Sequence, residues 1–434
     1  MADAENDTHH KALTINLDAT CYGTIAEIGA GQEVARWFLQ VGGASGTVAK
    51  TVSAYDMTVS DAIYGKADRY VSRQRVEGML EHEYALLIDR LAASKGAKVR
   101  FFVFADTISA RNFSGTNECH GWLGVRFQSR PGGEANEVII HANLLDQNNL
   151  LQQQAVGILG VNLIHAAVYQ REPRSELLPA LCDEVAGRVE IDLIATRGPD
   201  LDFDDRVATI ELLQRGFAEA VTFPVEGPAV PPSELIRKRP LVLAPGVFAP
   251  PQPIHATMLA AGIAGIKAEL GAEDRPPLPL FMLVGRNLGE ERDASPAELI
   301  ERVDLLRRMG SDVLVARDPE AHRIVRYALR YTGAALRIVI GPAALAELLQ
   351  RRYYRNLDGE LMEALARLFA SNVRVYVYPM AAATLAQLDP SADAWFSAPD
   401  ERGRIALEHL TVPPPLSHLL AYLIESGFLR SLAV

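Results

Sequence analysis

Residues 25–33 run Ile-Ala-Glu-Ile-Gly-Ala-Gly-Gln-Glu, a short apolar stretch that gives way to two glycines and then to a helix-forming segment. Glycine lets a backbone turn tightly, and the free amides at a helix N-terminus attract phosphate or carboxylate. Glu27, Gly29 and Gly31 are therefore candidate ligand-binding residues. The third glycine of a dinucleotide fingerprint does not follow, because Gln32, Glu33 and Val34 stand where it should fall. A plain strand-to-helix turn is the alternative reading.

A second constellation begins at Phe104-Ala105-Asp106-Thr107, at the end of an apolar run, and continues with Arg111, His120 and Arg126. Arginine forks onto phosphate or carboxylate and histidine serves as acid or base, so these side chains could converge on an anionic substrate. The competing explanation is a capped turn beside a solvated strand face. Gly42 to Thr51 superficially evokes a phosphate loop, but Gly46 and Lys50 are four apart, whereas a phosphate-gripping lysine must directly follow its glycine. A turn-forming connection is expected there.

In the second half, ligands of an open α/β sheet sit beyond the carboxyl ends of the strands. That rule points to Gly285, Arg286 and Asn287, to Arg317 and Asp318, and to Gly341, each of which a turn into a helix also explains. Asp202, Asp204 and Asp205 are accounted for by a helix N-terminus without a metal. Among the 10 histidines there is no H-E-x-x-H, and no G-x-S-x-G elbow occurs. Metal-dependent and covalent hydrolase chemistry thus have no sequence support.

The elements that must position these residues are most legible toward the C-terminus. Strands are expected at Leu278 to Val284, Asp312 to Val315, Leu336 to Ile340 and Val373 to Tyr378. Between the first two, Ser295-Pro296-Ala297-Glu298 offers a cap, a first-turn proline and a capping box, and Gly310 a stop. Asp318-Pro319 opens the next helix. Alternation of this kind implies right-handed crossovers and parallel strands. Further strands are expected at Arg188 to Ala195, Ala220 to Phe223 and Pro240 to Leu243, so the α/β run should begin near residue 185. The helix Leu416 to Phe428 carries Leu419, Leu420, Leu423 and Ile424 on one side. That stripe suits docking onto its own domain, or a subunit contact in a homo-oligomer.

The first 170 residues follow another plan, with helices at Gln32 to Gln40, Ser72 to Ala93 and Leu150 to Tyr169. Strands at Val99 to Phe104, Trp122 to Gln128 and Glu137 to Ala142 are joined by loops too short for helical crossovers, which implies antiparallel or mixed pairing. The expected architecture is α/β. Residues 1–172 form a mixed domain with a Gly-rich strand-to-helix turn, and residues 173–434 a largely parallel, doubly wound, Rossmann-like domain with a C-terminal docking helix.

Bulk properties narrow the function classes. The 434 residues carry 54 acidic against 43 basic side chains, a net charge of −11 that repels phosphate backbones, so nucleic acid is not an expected partner. Cys21, Cys119 and Cys182 lie far apart without C-x-x-C spacing, which suits reduced thiols in a cytoplasm. Met1 to His10 reads as a polar tail rather than a signal peptide. The most apolar run, Ala155 to Val168, is shorter than the roughly 20 residues a bilayer needs, and no membrane association is expected.

The stretch Thr24 to Tyr64, centred on Glu27-Ile28-Gly29-Ala30-Gly31-Gln32-Glu33-Val34-Ala35-Arg36-Trp37-Phe38, resembles a bacterial family of similar length. Phe102 to Thr107, His120-Gly121-Trp122, Arg126-Phe127-Gln128, Arg330-Tyr331-Thr332 and Tyr376-Val377-Tyr378-Pro379 extend the likeness along the chain. Members of that largely uncharacterised family are often labelled nicotinate or nicotinamide mononucleotide adenylyltransferases. The H-x-G-H by which true adenylyltransferases of that type resemble one another does not occur here. The strand-to-helix glycine turn and the α/β tail point to a cytosolic protein that binds a nucleotide-like or phosphorylated small molecule, and the resemblance implies an adenylyltransferase-like one. Two alternatives stand beside it. One is a non-catalytic, self-assembling scaffold. The other is an adenosylmethionine-dependent methyltransferase, whose first motif the E-x-G-x-G order resembles.

Overall fold

A computed structural model describes residues 7–170, 174–271, 275–286, 292–388 and 394–433. The chain folds into two compact units, Met1–Ala218 and Glu219–Val434.

The first unit opens with α1 (Thr8–Leu17), β1 (Cys21–Gly29), α2 (Glu33–Gln40), β2 (Val48–Ser53), α3 (Met57–Tyr64) and α4 (Arg73–Lys95). It continues with β3 (Arg100–Ser109), β4 (His120–Gln128), β5 (Ala135–Leu144), α5 (Asn149–Tyr169), α6 (Arg174–Leu181), β6 (Val189–Arg197) and α7 (Asp205–Gln214). The polar start expected as a tail is helical in α1, which includes His9 and His10. Two carboxylates hold its N-terminus: Asp7 accepts from the His9 amide at 3.1 Å, and Glu184 accepts from the Thr8 amide at 2.8 Å. One turn on, the buried Lys11 ammonium meets Asp183 at 2.6 Å and Asn162 at 2.9 Å.

Six strands form one sheet in the order β2-β1-β3-β4-β5-β6, with β1 parallel to both β2 and β3 and the remaining pairs antiparallel. The loop expected at Gly42 to Thr51 contains an edge strand, β2. Lys50 lies within that strand and pairs with Glu83 of α4 at 2.5 Å, which removes it from any phosphate loop. The strand expected to begin the C-terminal α/β run, β6, instead completes the first sheet beside β5. Its residues are buried on both faces, so its pattern cannot say which sheet it joins. Phe102, Phe104, Val125 and Ile140 point from one face into a core completed by Leu159 and Ile164 of α5. On the other face lies α4, packed on β3 and β4.

The second unit begins with β7 (Ala220–Phe223), α8 (Pro232–Ile236), β8 (Leu241–Gly246), α9 (Pro253–Leu270), β9 (Leu278–Val284), α10 (Pro296–Arg308) and β10 (Asp312–Ala316). After these come α11 (Ala321–Ala328), β11 (Leu336–Ile340), α12 (Pro342–Leu348), α13 (Glu360–Leu368), β12 (Val373–Val377), β13 (Met380–Ala381), α14 (Ala382–Leu388), β14 (Arg404–Ile405), α15 (Leu416–Glu425) and β15 (Leu429–Ser431).

The seven-stranded sheet has the order β15-β12-β11-β8-β9-β10-β7, and only β7 runs antiparallel to its neighbour. From β8 the chain winds outward through β9 and β10, then returns to the other edge of β8 to lay down β11, β12 and β15. This is the doubly wound, Rossmann-like plan, with its reversal between β8 and β11. Ser295 and Glu298 close the capping box of α10 reciprocally, at 3.3 and 2.7 Å. The next helix starts later than Asp318-Pro319 suggests. Its N-cap is Glu320, and the Asp318 carboxylate takes Arg317 and Arg323 at 3.4 and 3.2 Å. In α15, Leu420 and Leu423 are buried in the core of their own unit, whereas Tyr422 and Ile424 are exposed. Among the described residues, no helix is long and apolar enough to cross a membrane.

Replacing Asp183 by Ala leaves the Lys11 ammonium buried with only Asn162 for company. The variant should lose about 2–3 kcal/mol of unfolding free energy, below the roughly 3–5 kcal/mol of a fully buried pair because Asp183 is partly exposed. Urea denaturation of D183A checks this: an unchanged midpoint means that the pair does not anchor α1.

Candidate functional site

The parallel register of β1 and β3 sets Glu27 directly beside Asp106. Both lie in the core, Glu27 3% and Asp106 0% exposed. Gly29 ends β1 with φ +88°, and a Cβ there would sit 2.1 Å from the Ile108 carbonyl oxygen. Gly31 passes so close to Asp106 that a Cβ would fall 2.1 Å from a carboxyl oxygen. Only glycine fits at either position.

The end of α2 that could receive an anion already holds a carboxyl from the chain itself. The Ala35 amide donates to Glu27 Oε1 at 3.2 Å, the Val34 amide to the Gly31 carbonyl at 3.0 Å, and the Gln32 side chain to the Gly29 carbonyl at 2.6 Å.

Burial pushes the Glu27 carboxyl up to about 7, against the pull of the Ala35 amide. Burial also raises Asp106 well above the carboxylate range, and the neighbouring Glu27 charge adds to this. The Ile28 amide lies close to Asp106, yet neither carboxyl oxygen receives a hydrogen bond of normal geometry. Two carboxyls side by side in so dry a place retain protons that water would remove.

The second sequence constellation is divided by the pleat. Asp106 registers with Leu123 of β4, so it shares a face with Leu123 and Val125, while His120 and Arg126 project from the opposite face. Arg126 lies over the Tyr84 ring of α4 at 5.1 Å and 3.7 Å from Glu137. His120 Nδ1 lies 2.9 Å from His141 Nε2. Thr107 donates its hydroxyl to the Tyr70 carbonyl at 2.6 Å. Arg111 follows β3, where its backbone amide donates to Gln152 at 2.7 Å and its guanidinium lies against Gly115.

In the second unit a cavity of about 150 Å³ opens at the carboxyl ends of β8, β9 and β11. Pro245, Gly246 and Val247 close one side, Val284 and Arg286 another, and Ile338 and Ile340 the floor. Ala344 and Glu347 of α12 and Tyr354 complete the wall. Its position is the reversal of the sheet, where the loops leaving adjacent strands turn to opposite faces and part. The lining is mostly apolar. Arg286 brings positive charge, held by Asp293 only at 3.7 Å. The Tyr354 hydroxyl donates to the Leu348 carbonyl at 3.0 Å, and burial raises its phenol. Asn287 lies outside the described residues. Gly341 caps α12, and Arg317 and Asp318 pair with each other after β10. A second cavity, about 260 Å³ beside α14, has no charged side chain in its lining and so nothing to orient an anion.

The connection from β8 to α9 has one glycine, Gly246, and then Pro250, Pro251 and Pro253. Proline has no amide hydrogen, and the Gln252 amide is taken by His255 Nδ1 at 2.9 Å. Those four positions offer no amide to a diphosphate.

The second unit therefore belongs to the doubly wound α/β class, with its cavity where that class places ligands. No family model matches the chain, and no curated protein matches it. Solved structures with some likeness include the competence/damage inducible protein CihA from Agrobacterium tumefaciens, at 16% identity over 37% of this chain and 94% of that one, with a TM-score of 0.27. Competence-damaged protein (CinA) superfamily proteins from Enterobacter cloacae and Escherichia coli overlap similarly. They are 14% and 15% identical over 38% of this chain and 91% and 90% of theirs, with TM-scores of 0.28 and 0.26.

Of the cavity's residues, sequence reasoning reached Arg286 alone. Pro245 to Val247 were within reach of the same strand-end rule, since β8 was expected. Ala344, Glu347 and Tyr354 follow β11 and carry no pattern that separates them from core.

The raised acids predict a pH dependence. Both carboxyls keep protons in the folded state that the unfolded chain releases near its ordinary values of about 4. Their contribution is full below that range and is lost as pH rises through about 7, where folded Glu27 titrates. Asp106→Asn should therefore stabilise the protein at pH 8 and reduce its loss of stability between pH 5 and 8. Urea midpoints at both values check this, and a variant less stable than the parent at pH 8 contradicts it.

Proposed function

We propose that the protein binds a small phosphorylated or nucleotide-like molecule in the cavity at the reversal of the second sheet, in a cytoplasmic setting that suits its three free thiols. The observation that carries this reading is the coincidence of an apolar cavity, a nearby arginine and the one position in a doubly wound sheet where diverging loops leave room for a ligand. A volume of about 150 Å³ accommodates a benzene-sized ring, so a six-membered heterocycle fits inside with its anionic group toward Arg286. The four positions after β8 without a free amide favour a mononucleotide-sized ligand over a dinucleotide. Adenylyl transfer asks for several donors to stabilise a departing pyrophosphate. Among the described side chains of the cavity lining Arg286 is the one cation, and Glu347 carries an acid, so the reading stops at binding.

A thermal-shift and calorimetry panel of AMP, nicotinamide mononucleotide, nicotinate mononucleotide, NAD, ATP and adenosylmethionine, with the parent nucleosides beside them, tests it. A phosphorylated mononucleotide should raise the melting temperature, by the equivalent of about 2.7 kcal/mol at a hundredfold excess over Kd. Ala344→Phe, which places a ring at the cavity wall from an exposed helix position, should abolish the shift. Arg286→Ala should weaken binding about tenfold, as for loss of one charge-assisted contact. Silence across the whole panel overturns the reading.

A further inference from the structure

On the face of the first sheet opposite Asp106, three polar side chains cross three adjacent strands. Asp192 of β6 is 1% exposed and accepts from Asn143 Nδ2 at 2.7 Å, and its other oxygen lies 2.6 Å from His141 Nδ1. His141 of β5 is 0% exposed, and its Nε2 lies 2.9 Å from His120 Nδ1 on β4. His120 is half-buried at the end of the sheet where β3 finishes. Among the described residues its Nε2 has no partner.

Burying a carboxylate and an imidazole together is costly unless every group is paired. Here each is paired except the last nitrogen. Beside the chain, Trp122 packs on His141 with ring centroids 5.0 Å apart, and its buried Nε1–H has no partner either. Arg69, exposed before α4, adds positive charge near His120.

A carboxylate only accepts, so the hydrogen between Asp192 and His141 sits on His141 Nδ1. In the neutral form of His141 its Nε2 accepts, His120 donates from Nδ1, and His120 Nε2 is left with a bare lone pair.

We propose that His120 Nε2 is a general base acting on a hydroxyl or water of a small anionic substrate held by Arg69, with His141 and Asp192 as positioning residues. In that step the substrate O–H bond breaks and an N–H bond forms at His120 Nε2. The Nδ1 hydrogen of His120 passes to His141 Nε2, and the positive charge comes to rest on His141 against the Asp192 carboxylate. The substrate oxyanion remains opposite Arg69. Nothing is oxidised or reduced, and reversing the transfer returns the proton. Burial, above all, lowers the His120 imidazole from its ordinary value, which favours the unprotonated ring. The site lies in the first unit and is independent of the cavity reading.

Two measurements on the full chain decide the matter. Nitrogen-15 NMR should find His120 in the Nδ1–H tautomer at pH 7, opposite to the usual preference of free imidazole, and Asp192→Asn should remove that preference. Diethyl pyrocarbonate, which acylates only unprotonated imidazole, should modify His120 about tenfold faster than the exposed His9 and His10, and D192N should slow it by a similar factor. Inorganic phosphate should shift the His120 resonances in the parent and not in Arg69→Ala. An Nε2–H tautomer, or a reaction no faster than at His9, overturns the proposal. If D192N does not fold, the tautomer of the parent protein decides alone. Loss of the phosphate effect in the parent removes the anionic substrate class.

Discussion

Two carboxyls lying side by side in an apolar core set the terms for the first unit. Asp106 has no well-formed hydrogen bond, and an ionised carboxylate in that position would be prohibitively unstable. The core accepts it because it stays protonated, and Glu27 stays beside it because the Ala35 amide compensates part of its burial. Gly31 must then be glycine for the chain to pass over the pair, and α2 begins where the Glu27 carboxyl can reach its amides. Through the Glu27 bond to Ala35 the pair is tied to α2, which packs on α5, and α5 covers the sheet.

That arrangement also explains why a segment with the look of an anion-binding turn has so much of one and still differs. Both need glycines, a strand end and a helix start. What distinguishes them is which group takes the amides of the helix N-terminus, and here the Glu27 carboxyl of the preceding strand accepts from Ala35. An amide already bonded to an internal carboxyl is not open to a phosphate. The opposite face of the same strands is organised by hydrogen bonds rather than by shared protons. There the buried Asp192 carboxyl is met by two partners, Asn143 and His141.

The legible parts of the fold were those in which local signals agree with one another. In the second unit the strands Leu278–Val284 and Leu336–Ile340 have the limits their apolar runs imply, and Ser295 to Glu298 caps α10 as its residues require. Polar α1 was not legible, because its stability comes from Glu184, Asp183 and Asn162, more than 150 residues away. Likewise β2 looks like a loop until β1 supplies its hydrogen bonds, and β6 carries no mark of which sheet it will join. The grouping of Asp106 with His120 and Arg126 ignored the pleat. Strand identity is local, but the face a side chain takes depends on cross-strand register, and with Asp106 opposite Leu123 an even-numbered His120 can only point the other way.

The cavity of the second unit was half legible for a related reason. The rule that ligands lie beyond the carboxyl ends of parallel strands holds for every strand, whereas the cavity forms at one position, and that position depends on strand order. Only once β11 is known to lie beside β8 does the site move to Gly246, Arg286 and Tyr354. The prolines after β8 then take on meaning. In a doubly wound sheet that grips a diphosphate, backbone amides do the gripping and the side chains are nearly irrelevant. With Pro250, Pro251 and Pro253 in that connection, the proposed ligand must find its anion partner in a side chain, and Arg286 is held by Asp293 loosely enough to exchange one carboxylate for another anion. Recognition by a single guanidinium selects a planar, two-oxygen face such as a carboxylate or one edge of a phosphate, and sets no requirement for a second phosphate.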